Sequence, residues 1–169
     1  MKTTLIMTLL IAISTMAFCQ RKFSLGPDYK MEIDSLTKLI SKNPDSSAYY
    51  FARSIKIFAF NLRYPQQTQV SFKINDAYTD IDKAISLDPT NFNYLIQKAE
   101  FKEHEGNLDG ALEEYSKAIQ LFPNEGVIYK KRAAIYIRKE DYDKACADYK
   151  KGAELKEPYC EDFLDEYCR

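Results

Sequence analysis

Tryptophan is missing from the chain, and histidine occurs once, as His104. No metal site is expected, because such sites draw on several His or Cys ligands close in space. Cys146, Cys160 and Cys168 stand 14 and 8 residues apart, with no C-x-x-C pair to hold zinc. Glycine and proline are also scarce, at five and six in 169 residues. That is too few for an all-β chain with a tight turn after every strand. The glycines are scattered as Gly26, Gly106, Gly110, Gly126 and Gly152, so no G-x-x-x-x-G-K phosphate loop exists. Charge of one sign never reaches a block of five, and the net charge is −1. With no basic stripe, nucleic acid is not expected as a partner. The acidic pairs Glu113-Glu114 and Glu161-Asp162 read as solvated helix faces or caps, not as an acid–base pair. No catalytic residue and no cofactor is expected.

Long hydrophobic runs are absent too. The apolar stretch from Leu5 to Ile13 is broken by Thr8, and it is shorter than the roughly 20 residues that span a bilayer. Lys2 precedes it, and Ala17 and Cys19 stand two apart just before Gln20. This is the pattern of a signal peptide over residues 1–19, with export to the periplasm or secretion. Acylation of Cys19 is the rival reading, and membrane association is expected only in that case. It needs a small residue before the cysteine, where Phe18 stands. An uncleaved anchor is a third reading. Export brings the remaining cysteines into an environment where a disulfide forms.

What is present is a period. Pro44, Pro89 and Pro123 each follow an amphipathic run, and Pro89 to Pro123 is 34 residues. Pro44 to Pro89 is 45, which is one period with an insertion of 11. Leu95, Lys98-Ala99, Gly106, Ala111, Tyr115 and Ala118 in one unit match Tyr129, Arg132-Ala133, Glu140, Ala145, Tyr149 and Gly152 in the next. Ala77, Ile81 and Ala84 take the corresponding second-helix slots of the first unit. A spacing of i, i+4, i+7 puts three such residues on one helical face. Small side chains there let helix backbones approach closely. Asn75, Asp109 and Asp143 recur where a short polar side chain caps the second helix.

These residues resemble the tetratricopeptide-repeat family, whose unit is a 34-residue helix–turn–helix. The resemblance covers about residues 47–157. It implies an all-α, right-handed stack of three hairpins, over 47–91 with the insertion, 92–125 and 126–157. Leu95 and Lys102 depart from the family's usual Trp and Tyr. A segment at 20–46, with Ile33, Leu36, Leu39 and Ile40 on one helical face, is expected to cap the front of the stack, and residues 158–169 the rear. Exported bacterial repeat proteins of this kind, which the C-terminal pattern resembles, tie the closing helix down with a disulfide. That implies Cys146–Cys168, with Cys146–Cys160 as the runner-up.

The family binds peptides along a concave groove lined by the first helices. Carried across, the groove residues are Phe51, Ile55 and Phe58 in the first unit, then Asn93, Ile96, Gln97, Glu100 and Glu103 in the second. In the third they are Val127, Lys130, Lys131, Ile137 and Arg138. The groove is expected to run from apolar through acidic to basic. Phe51 and Ile55 stand where chaperone-adapting members carry carboxylate-clamping Lys and Asn, so binding of chaperone tails is not expected. The helix over 48–60 is apolar all round, so two readings stand. The favoured one is that the insertion within 61–73 and the N-terminal helix cover it; the other is an exposed patch that takes an apolar peptide or partner helix. The expected function is non-catalytic protein or peptide binding. A thiol-dependent enzyme using Cys160 with His104, and a purely structural spacer, are the alternatives.

Overall fold

The computed structural model describes residues 28–66 and 71–168. The leader expected over 1–19 lies outside them. Among the described residues there are eight helices and no strand. They are α1 (Tyr29–Lys42), α2 (Ser47–Arg63), α3 (Ile74–Leu87), α4 (Phe92–His104), α5 (Leu108–Leu121), α6 (Gly126–Arg138), α7 (Tyr142–Glu154) and α8 (Cys160–Tyr167). The main contacts join α2 to α3, α4 to α5 and α6 to α7, with α1 against α2 and α8 against α7.

Small and aromatic residues on one face of each second helix set this packing. Ala77, Ile81 and Ala84 on α3 are fully buried, as are Ala111, Tyr115 and Ala118 on α5. Ala145, Tyr149 and Gly152 fill the same slots on α7 and are buried as well. Alanine-sized side chains at two of every three slots bring the backbones together, and the larger third fills the space beside them. Between first and second helix the chain turns through a left-handed residue, Gly106 (φ 78°) or Glu140 (φ 60°). Glycine takes that conformation without strain, whereas Glu140 does not.

Two expectations are corrected here. The caps of α5 and α7 are Asn107, which accepts from the Gly110 N–H, and Asp141, which accepts from the Lys144 N–H. Asp109 and Asp143 lie two residues later, inside the first helical turn. Asn75 likewise sits within α3, where Asp76 accepts from the Lys73 N–H. Glu114 is not a solvated face residue. It is 4% exposed and receives the Lys102 ammonium at 2.7 Å.

Glu114 belongs to a feature that recurs in each hairpin. Arg53 on α2 makes a two-pronged bond to Asp80 on α3, with both contacts at 2.7 Å. Arg132 on α6 does the same to Asp148 on α7, both at 2.8 Å. Lys98 on α4 lies 4.0 Å from Glu114 on α5. The two arginines also reach back one helix, to the Thr37 hydroxyl on α1 and the Ser116 hydroxyl on α5. Thr37 therefore occupies in α1 the slot that Ser116 occupies in α5, which places α1 in register with the second helices.

The apolar ring of α2 is covered on several sides. Phe58 stacks on Phe101 of α4 at 4.0 Å, and Phe72, from the inserted segment, meets Phe60 edge-on at 4.9 Å. Tyr29 of α1 reaches the same Phe60 at 6.3 Å. At the rear, Cys146 and Cys168 form a disulfide, and Phe163 stacks on Tyr149 at 4.7 Å. Gly152 leaves room for the Cys160 thiol, since a Cβ there would stand 2.6 Å from its sulfur.

Candidate binding groove

The first helices α2, α4 and α6 lie side by side and leave a groove of about 500 Å³ between them. Its lining includes Phe51, Asn93, Ile96, Gln97, Glu100, Val127 and Lys131, all expected there from the sequence. Asn91 and Tyr94 also line it and were not expected. Asn91 is the cap of α4, and Tyr94 tilts against Phe51 at 4.7 Å while its hydroxyl meets Ser47 at 3.2 Å. Both residues are visible in the sequence, but neither falls at a position that the family resemblance assigns to the groove.

The remaining expected residues are placed differently. Phe58 is 3% exposed and belongs to the core stack with Phe101, so it does not line the groove. Ile55 packs against the same front cluster, and Ile137 packs against the rear one. Lys130 turns away toward α8, where its ammonium bonds Glu157 and the Pro158 carbonyl. Glu103 and Arg138 pair with each other at 2.7 Å.

The expected gradient from acidic to basic is corrected by the same contacts. Lys131 bonds Glu100 at 2.6 Å, so this pair and Glu103–Arg138 neutralise each other across α4 and α6. Neighbouring helices carry opposite charges at matching heights, and opposed charges within reach bond each other before they meet a ligand. What remains open is an apolar floor of Phe51, Tyr94, Ile96 and Val127 under the amides of Asn93 and Gln97.

Cys160 and His104 do not come together. Cys160 is fully buried beside Ala133, Ala145 and Tyr149, while His104 is exposed at the end of α4 near Phe58. Burial pushes the Cys160 thiol up, Lys130 pulls it down and Glu157 raises it, leaving it above its usual range. That is the opposite of what a nucleophilic thiolate needs.

Residues 128–159, covering α6, α7 and the turn after them, match the family model described as tetratricopeptide repeat. The hairpins ahead of them repeat its geometry. The matched segment is a tetratricopeptide repeat, and the chain as a whole has the fold of proteins built from such repeats. The chain is 25% identical over 127 residues to human tetratricopeptide repeat protein 13, a match covering 75% of this chain and 14% of that protein. Crystal structures of MamA and of yeast Tom70 share the fold, each with a TM-score of 0.59. MamA is 22% identical, with 76% of this chain and 69% of that one covered. Tom70 is 28% identical, with 73% and 23% covered. Against four curated relatives this repeat array spans between 8% and 23% of their length. Among the described residues no helix is long and apolar enough to cross a membrane.

Proposed function

We propose that the array is a non-catalytic interaction module whose groove holds a short extended segment of another protein. The observation that carries this reading is the pair of side-chain amides, Asn93 and Gln97, which have no hydrogen-bond partner among the described residues and lie above an apolar floor. Amide side chains bond a peptide backbone through both donor and acceptor. The floor takes apolar side chains, and the neutralised Glu100–Lys131 pair offers little to a charged one. The preferred ligand is therefore an uncharged, apolar peptide stretch. Proteins built on this repeat generally serve as interaction scaffolds, which supports the same reading. The signal-like N-terminus and the disulfide support placing the protein outside the reducing cytosol, in the periplasm or secreted.

An array of short labelled peptides probed with the protein, followed by fluorescence anisotropy on the selected sequences, tests the groove. Val127→Asp buries a charge against the ligand and is expected to weaken binding at least tenfold. Gln97→Ala should cost less, and raising the salt concentration should change affinity little. Selection of strongly charged peptides, or full binding by Val127→Asp, rejects the reading.

A further inference from the structure

The three hairpins treat the space beside their buried ion pair differently. In the third, Lys144 brings a second cation to it. The Lys144 ammonium lies 5.4 Å from the Tyr136 ring, which Arg132 also faces at 5.9 Å. In the second, Lys102 takes the slot of Tyr136, and its ammonium bonds the buried Glu114 at 2.7 Å. Counted back by the repeat, the first hairpin has Ile57 at the slot of Tyr136 and Lys102. It has Asp76 at the slot of Lys144. Neither residue supplies a cation, and Asp76 adds an acid.

A cavity of about 240 Å³ opens at that place, between α1, α2 and α3. Its volume is the share of roughly eight waters at about 30 Å³ each. One side is apolar, with the buried side chains of Ile33, Ile57 and Phe72. Phe72 comes from the inserted segment, which the other two hairpins lack. The other side is polar, with Asp76 and Thr79 of α3 beside Ser71. One oxygen of Asp76 accepts from the Lys73 N–H, and the other has no bond among the described residues. Thr79 donates its hydroxyl proton to the Asn75 carbonyl and keeps its lone pairs. Arg53 and Asp80 also line the cavity, but their two-pronged bond cancels their charges. The excess charge of the cavity is therefore that of Asp76, flanked by hydroxyl oxygens that can accept. An ammonium has three donors and no acceptor, which matches this set.

We propose that this cavity binds a primary ammonium on a short apolar stem, where the other hairpins bring Lys144 or Lys102 from within. The stem lies against Ile33, Ile57 and Phe72, and the head meets Asp76 with the Thr79 and Ser71 hydroxyls. A free aliphatic amine and the lysine side chain of another protein present the same group. The cavity shares no lining residue with the peptide groove.

Amide NMR spectra of the protein titrated with n-butylammonium chloride provide the test. Saturable shifts are expected over Phe72 to Asp80 and around Ile33 and Ile57, with a dissociation constant on the order of a millimolar. Asp76→Asn keeps the cap, since its amide oxygen still accepts from Lys73, and should weaken binding roughly tenfold or more. Asp76→Lys copies the third hairpin and should abolish binding. Butanol, with the same stem and no charge, should bind roughly tenfold more weakly or not at all. Titration with Nα-acetyl-lysine methylamide separates the sources. Saturation at the same amides supports a lysine of another protein, and saturation by butylammonium alone supports a free amine. Absence of saturable shifts with butylammonium overturns the proposal. Equal binding by Asp76→Asn, or equal binding of butanol, overturns it as well.

Discussion

Glu114 carries a charge where almost no water reaches it. Burial pushes its carboxyl up, but the Lys102 hydrogen bond and the charges of Lys98, Lys102 and Lys117 outweigh this and hold it below the usual value of 4.5. A carboxyl lowered by folding contributes stability above its unfolded pKa and loses it as pH falls through the folded one. Glu114→Gln is therefore expected to cost about 1–2 kcal/mol at neutral pH. The gap between the urea midpoints of variant and wild type should close as the pH falls below 4.5. A gap that persists in acid would show that packing, not charge, sets the cost. Glu114 was misread from the sequence because its neighbour Glu113 is exposed. Two adjacent acids on a helix point about 100° apart, and only the recurrence of acid partners for Arg53, Lys98 and Arg132 separates them. That recurrence was there to be read.

Among the helices, α8 has the least support of its own. It is eight residues long and has no side-chain cap. It is reached through Lys156 (φ 61°) and Tyr159 (φ 68°), both left-handed without being glycine. An isolated helix of that length is not stable in water. What holds it are Phe163 on Tyr149, the Lys130–Glu157 pair and the disulfide. Closing a loop between residues 22 apart is worth about 3 kcal/mol in the chain-entropy model. Replacing both Cys146 and Cys168 by Ala should lower stability by about that amount, and α8 amides should lose hydrogen-exchange protection before those of α7. Equal protection throughout would assign the hold to the side chains alone. Helix ends marked by Pro44, Pro89 and Pro123 were legible, because a proline cannot continue a helix. The caps of α5 and α7 were displaced by two residues because Asp or Asn stands at both candidate positions, and only geometry tells a cap from a first-turn acid.

Across the whole molecule, contacts run mainly between successive helices and the core divides into three clusters. A stack of this kind is stabilised by its units and the interfaces between neighbours. Ala145→Leu overpacks the rear hairpin and is expected to cost about 1–3 kcal/mol. Its amide protection should fall in α6, α7 and α8 while α2 and α3 keep theirs; uniform loss would mark the array as one cooperative block. The fold was legible because small and aromatic residues repeat at a fixed interval. Half of the groove was not, since its charges are cancelled by partners 31 and 35 residues away that no local pattern announces. The bond between Cys146 and Cys168 also fixes how the molecule would bear a load. Tension applied beyond its final helix passes through sulfur directly into α7, so the terminal helix is shielded from the pull.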